Sequence, residues 1–272
     1  MPNFIFYKKI DLIFFGYINK EIQKKKRSIM IKFKEISKTY DENTVLDHIS
    51  FDIGKGEFFV LVGKSGSGKT TTLKMINRLV EPTSGQIFIK DKDIDSYDIR
   101  NLRLSTGYVL QEGALFPNLS VYENIALIPN MKKWPKEKTD KEIRNLMEKV
   151  DLDPDQYLDR YPRDLSGGQQ QRIGILRAII SKPQMLLMDE PFSALDPITR
   201  KSLQELIKSI QKELKITTVF VTHDIDEALK LGDRICVMEE GRIIQLDKTE
   251  NIKTMPKNDF VENLFSSGDT DE

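Results

Sequence analysis

The sequence predicts an α/β fold: a parallel β-sheet layered with helices, an antiparallel β-region at the start, and a helical insertion in the middle. Three observations predict it. The continuous apolar runs Phe58–Val62, 185–188 and 218–221 suit strands of a parallel sheet covered on both faces. Segments with helical period follow each of them, at 71–80, 199–214 and Ile225–Leu231. Near the start, residues 31–34, 49–53 and 85–90 alternate apolar and polar, as half-exposed strands do.

Between about 112 and 165 the apolar runs stop and charged helical segments replace them, which marks the insertion. The patterned domain is expected over 30–265, and the polar residues 266–272 are expected to form a flexible, frayed tail. Residues 4–18 are the nearest approach to a membrane helix. They are interrupted by Lys8, Lys9 and Asp11 and are shorter than the roughly 20 apolar residues a crossing needs. A membrane-surface segment, a signal peptide and an upstream extension all compete for 1–29. A signal peptide fits poorly because the basic run of 24–27 follows the apolar part. The expectation is an extension outside the working protein, with translation starting at Met30. No internal repeat or low-complexity tract interrupts the domain.

The chain has 272 residues, 39% of them hydrophobic and 31% charged, enough for a buried core under a solvated surface. Forty-two basic side chains match 42 acidic ones. That balance gives no global basic field, so nucleic acid is not expected as the partner. The one cysteine, Cys236, cannot make an internal disulfide, and its neighbours read as a strand. It is expected to be an inert core thiol, in keeping with a reducing compartment.

Gly63-Lys64-Ser65-Gly66-Ser67-Gly68-Lys69-Thr70 fits G-x-x-x-x-G-K-[ST] and lies between a buried strand and a helix, as the mechanism requires. Glycines let successive backbone N–H groups turn inward on phosphate oxygens, and the next helix, from Thr71, adds its positive end. Lys69 would reach the outer phosphates, and the Thr70 hydroxyl would ligate Mg²⁺. Asp189 ends a second buried strand, where a side chain points into the ligand crevice. It would hold Mg²⁺ through water, and Glu190, one residue on, would orient an attacking water. His223 follows the third buried strand and is expected at the same edge, against a γ-phosphate. The other histidine, His48, reads as structural.

Leu165-Ser166-Gly167-Gly168-Gln169 opens another helix, with Ser166 as its N-cap and two glycines exposing N–H groups at a positive helix end. This is either an ordinary loop-to-helix junction or a second anion site. Here the chain resembles ABC transporter ATPase subunits. Residues 165–169 resemble the family's signature motif, Gln111 its Q-loop, 193–196 its D-loop with Asp196, His223 its switch histidine and Tyr40 the aromatic that stacks on adenine. The resemblance implies a P-loop NTPase (RecA-like) core with ATP and Mg²⁺ as cofactors. Gln111 would join Thr70 and Asp189 around the metal and relay to the membrane partner. It also implies a head-to-tail dimer, in which the loop 166–169 of one subunit covers ATP in the phosphate loop of its twin. Such subunits sit peripherally on the cytoplasmic face of the cell membrane, beneath integral membrane permease subunits.

A finer resemblance rests on 122–129 with Trp134, on 159–162, on 196–200 and on 224–230. These look like the branch importing quaternary amines such as glycine betaine, carnitine and choline, in which a solute-binding protein delivers the cargo. Trp134 also has a plain reading as an aromatic packed within the insertion. A regulatory module follows the domain in many members of that branch; with the pattern ending near Phe265, it is expected to be missing here. Rival readings are an importer for another solute (an amino acid or an anion), an exporter, an ABC-type ATPase of translation or DNA repair, a small-molecule kinase, and an inactive subunit. The kinase would not need Ser166 to Gln169, and the inactive subunit sits badly with Lys69, Asp189, Glu190 and His223 all present.

Overall fold

The computed structural model describes residues 28–111, 115–193 and 195–266. The expectations for 1–29 and for the tail fall almost wholly outside that range. Two sheets organise the described residues. The first holds β1 (Ile29–Tyr40), β2 (Asn43–Gly54), β4 (Ser84–Ile89) and β5 (Lys92–Asp93) in the order β2-β1-β4-β5, all antiparallel. The second holds β3 (Phe58–Val62), β6 (Thr106–Val109), β7 (Met185–Asp189), β8 (Thr217–Thr222), β9 (Arg234–Glu239) and β10 (Arg242–Lys248). Its order is β10-β9-β3-β8-β7-β6, parallel except for β10.

The apolar runs follow from burial on both faces. Along β3, Phe58, Val60 and Val62 join one core while Phe59 and Leu61 join the other. The same alternation separates Leu186 and Met188 from Met185 and Leu187 on β7. Cys236 on β9 is buried in the core beneath the antiparallel sheet, and burial pushes its thiol up to about 12, as expected of an inert thiol. In that core Phe33, Phe51 and Phe59 stack with ring centroids 4.5 and 5.4 Å apart. One aromatic column thus ties β1, β2 and β3 of the two sheets together, each pair worth about 0.5–1.5 kcal/mol beyond its buried area.

The opposite core lies under helices. The insertion supplies α3 (Val121–Met131), α4 (Lys136–Lys149) and α5 (Pro154–Tyr157), after the short α1 (Lys69–Ile76) and α2 (Ile99–Leu104). Then come α6 (Gly167–Ile179), α7 (Pro197–Leu214), α8 (Ile225–Leu231), α9 (Thr249–Thr254) and α10 (Asp259–Ser266). Val121, Ile125, Ile143 and Met147 of the insertion share one apolar cluster with Ile173 of α6 and the sheet residues Val60 and Met188. The insertion is therefore packed onto the sheet side rather than built around a separate core.

Several boundaries differ from the sequence pattern for physical reasons. Strands β1 and β2 run well beyond their alternating segments, because register shifts between Phe33 and Ile36 break the period. Glu35 there has φ +49°. Helix α1 stops at Ile76 instead of 80: Arg78 turns left-handed at φ +49°, and the Leu79 N–H reaches back to the Lys74 carbonyl, closing the helix end. His48 lies within β2, on its exposed side. It sits at φ +48° with a largely exposed ring bonded to Asp47 at 2.6 Å.

Candidate nucleotide site

The parallel strands end their carboxyl edges side by side, and the chemistry-bearing residues collect there. After β3 the loop 63–68 leads into α1, whose first residue is Lys69. Gly66 and Gly68 take φ +79° and +96°, a backbone that L side chains rarely adopt. Ser67, Gly68 and Lys69 are buried, whereas Lys64, Ser65 and Gly66 are exposed and Thr70 and Thr71 lie between. The Lys69 ammonium donates to the carbonyls of Gly63 at 2.7 Å and Lys64 at 2.9 Å, so it lies under its own loop. Burial lowers its pKa, while Glu190 and Asp189 pull it back up.

Strand β7 brings Asp189 to this loop. Thr70 Oγ1 donates to Asp189 Oδ1 at 2.8 Å across the gap between α1 and β7. Burial raises the Asp189 pKa, and the Thr70 hydrogen bond opposes the rise. Glu190 follows at φ +44°, a strained backbone for a side chain of that size, while its N–H still bonds the Val221 carbonyl of β8. Its carboxylate meets His223 Nδ1 at 2.9 Å. Two carboxylates, a lysine, a threonine and a histidine from three segments thus lie together at one edge of the sheet.

Tyr40 ends β1 and is 46% exposed, with the Lys38 ammonium 4.6 Å from its ring centroid. Its partner Asn43 opens β2, and two residues on, a Cβ placed on Gly68 would come within 3.0 Å of the Val45 carbonyl, so this hairpin adjoins the phosphate loop. Gln111 is exposed two residues past β6. The Val109–Met188 pairing brings that chain level with the end of β7.

The 166–169 loop is held by other contacts. Ser166 Oγ accepts the Gln169 N–H at 3.3 Å, and Gln169 Oε1 accepts the Ser166 N–H at 2.9 Å, a reciprocal cap that shapes the start of α6. Gln169 also donates to the Tyr157 hydroxyl of the insertion at 3.1 Å. Ser166 and Gly167 are exposed, and a Cβ on Gly167 would meet nothing within 4 Å. Asp196 caps α7 through the Thr199 N–H at 3.0 Å, and that bond holds its pKa down.

Sequence reasoning left Thr222, Asp224 and Glu227 without roles. Asp224 caps α8 through the Glu227 N–H at 3.1 Å, and Glu227 accepts the Thr222 hydroxyl at 2.7 Å. The spacing Asp-x-x-Glu directly after a strand was the available signal.

This loop, cradled between a parallel strand and a helix beside an Asp-Glu strand end, defines a nucleotide-binding protein of the phosphate-loop class. Within that class the particular group is resolved by comparison. The chain belongs to the ABC transporter family, whose model matches residues 46–193. It is 53% identical over 237 residues to the carnitine transport ATP-binding protein OpuCA of Listeria monocytogenes, covering 87% of this chain and 59% of that protein. It is 52% identical to the glycine betaine/carnitine/choline transport ATP-binding protein OpuCA of Bacillus subtilis, with 87% of this chain and 62% of that protein covered. The chain therefore spans about three fifths of the length of these curated relatives. Among solved structures it is similar to the dimeric ATP-binding cassette MJ0796 in a post-hydrolysis state bound to ADP and Pi. The TM-score is 0.74 and the identity 33%, covering 81% of this chain and 99% of that one.

Proposed function

We propose that this chain is the ATP-hydrolysing subunit of an ABC importer, energising uptake of a quaternary amine such as glycine betaine, carnitine or choline. The observation that carries the ATPase part is the pairing of Thr70 with Asp189 and of Glu190 with His223 on neighbouring residues of one strand edge. The cargo class rests on similarity to the two importer subunits above.

Lys69 and the loop's backbone N–H groups neutralise the phosphates, and Tyr40 offers its exposed ring to adenine. The hydroxyl of Thr70 and the carboxylate of Asp189 are hard oxygens that suit Mg²⁺, with Gln111 contributing from the chain level with β7. When bound, that ion would neutralise charge on the phosphates. Glu190 polarises the attacking water, and His223, held by Glu190, lies against the γ-phosphate. Ser166 to Gln169 and Asp196 act across the twofold axis of a head-to-tail dimer, on the twin's nucleotide.

The permease docks at the seam between core and insertion, on the cytoplasmic face of the membrane, and a solute-binding protein delivers cargo from the other side. A cleft of about 300 Å³ supports this placement: it is lined by Tyr108, Phe116, Leu127, Ile128 and Met131, and the Tyr108 hydroxyl and Asn77 Oδ1 there have no hydrogen-bond partner among the described residues. Phosphate release by the purified chain with ATP and Mg²⁺ tests the ATPase reading. Lys69→Ala is expected to weaken ATP binding at least about tenfold, the scale of a lost charge-assisted contact. Unchanged binding contradicts it. Growth of a deletion strain at high salt with and without betaine tests the cargo; equal rescue of deletion and parent refutes betaine.

A further inference from the structure

His223 is 62% exposed, so packing does not hold its ring in place. Its two neighbours are held instead. Thr222, buried at the end of β8, donates its hydroxyl to Glu227 Oε2 at 2.7 Å and accepts the Asp224 N–H at 3.0 Å. Asp224 in turn accepts the Glu227 N–H. A closed ring of three hydrogen bonds therefore brackets the His223 backbone from both sides, with Glu227 as its buried carboxylate, only 5% exposed.

The second carboxylate oxygen of Glu227 accepts from Gln204 Nε2 at 3.3 Å, and Gln204 takes Lys230 at 2.9 Å. Gln204 stands on α7, the helix that Asp196 caps. One turn earlier Arg200 pairs with Asp224 at 3.5 Å and donates to the Leu195 carbonyl at 3.2 Å. The segment carrying His223 is thus tied at two points to the helix that begins at the proposed dimer loop. A buried carboxylate is costly unless its bonds are made, and burial does raise the Glu227 pKa while Thr222 and Gln204 pull it down. An apolar side chain would fill the same space more cheaply, but it could not accept from Thr222 and Gln204 at once.

The geometry points to Glu227 as a positioning residue for His223, fixing the histidine backbone against Glu190 and linking it to the Asp196 end of α7. This rests on the ATPase reading above and goes beyond it. Glu227→Gln keeps the shape but puts a donor where one of the two acceptors is needed. It is expected to lower kcat about tenfold, the scale of one misplaced buried hydrogen bond, with KM for ATP changed less than about twofold. Thr222→Val should do the same, and it carries the test should Glu227→Gln not fold. The decisive arm is the His223→Ala background of the full chain. There Glu227→Gln should reduce the remaining turnover no further, because the residue acts through the histidine. A further loss of the same factor in that background overturns the inference, as does unchanged kcat in both folded variants. Either result leaves the ATPase reading standing. Wild-type turnover in His223→Ala alone would instead remove the role proposed for His223, and this inference with it.

Discussion

Gly66 and Gly68 stand two residues apart in the phosphate loop, yet the fold treats them differently, and alanine at each separates two physical costs. At Gly66, φ is +79° and a Cβ would meet nothing within 4 Å. Gly66→Ala therefore carries only the backbone cost of a left-handed residue, about 1–2 kcal/mol. At Gly68, φ is +96°, and the Cβ would lie 2.5 Å from Leu46 Cδ2 and 3.0 Å from the Val45 carbonyl. The leucine methyl can move, but the carbonyl belongs to β2 and cannot easily give. Overpacking adds about 1–3 kcal/mol, for a sum of about 2–5 kcal/mol. For a domain of this size each kcal/mol lowers Tm by roughly 2–4 °C. Gly66→Ala should thus lose roughly 2–8 °C and Gly68→Ala roughly 4–20 °C on the same arithmetic. Calorimetry or dye-monitored melting of the nucleotide-free chain reads both. Equal losses, or a larger loss at Gly66, would refute the argument that β2 braces the loop at Gly68.

Glu190→Gln should keep ATP binding and accumulate an ATP-bound dimer on size exclusion while turnover falls at least about a hundredfold, the lower range for removing a general base; a monomer with ATP and Mg²⁺ would contradict it. Phe220 is fully buried between Phe58 and Phe192, at 5.9 and 5.6 Å, so Phe220→Ala should destabilise by about 3–5 kcal/mol in denaturant unfolding. A cost below about 1 kcal/mol would mean that the core collapses to fill the space. Burial raises the Glu227 pKa above its ordinary 4.5, so the folded chain keeps that proton to higher pH than the unfolded chain. Its contribution to stability is full below 4.5 and is lost as pH rises through the folded value. The stability advantage of wild type over Glu227→Gln should accordingly shrink from acid toward neutral pH, and a constant gap would contradict the assignment.

Much of this was readable in the residues, and the parts that were not have identifiable causes. The runs Phe58–Val62 and 185–188 announced the parallel sheet because both faces are covered, which removes polar alternation. Strand β6 escaped notice because it is four residues long and mixes Thr106, Gly107 and Tyr108 with a single aliphatic, Val109. Strand β10 lies at the sheet edge, with most of its residues half-buried, and its pattern is correspondingly weak. Lys69, Thr70, Asp189, Glu190 and His223 could be placed at one edge of the sheet because each lies at or after a strand end, in a spacing the proposed chemistry dictates. The clamp of Thr222, Asp224, Glu227 and Gln204 was hidden because it joins α7 to α8 across 23 residues, a pairing that only the fold creates. The left-handed backbone at Glu190 left no trace in composition either, since glutamate rarely adopts it.

In the proposed dimer ATP is shared between two copies, with the capped loop at Ser166 of one facing the phosphate loop of the other. A structure of Glu190→Gln solved with ATP and Mg²⁺ measures this directly. The expected result is a twofold dimer with Ser166 Oγ about 3 Å from an oxygen of the twin's γ-phosphate. Nucleotide bound in the phosphate loop while Ser166 faces only solvent would contradict it.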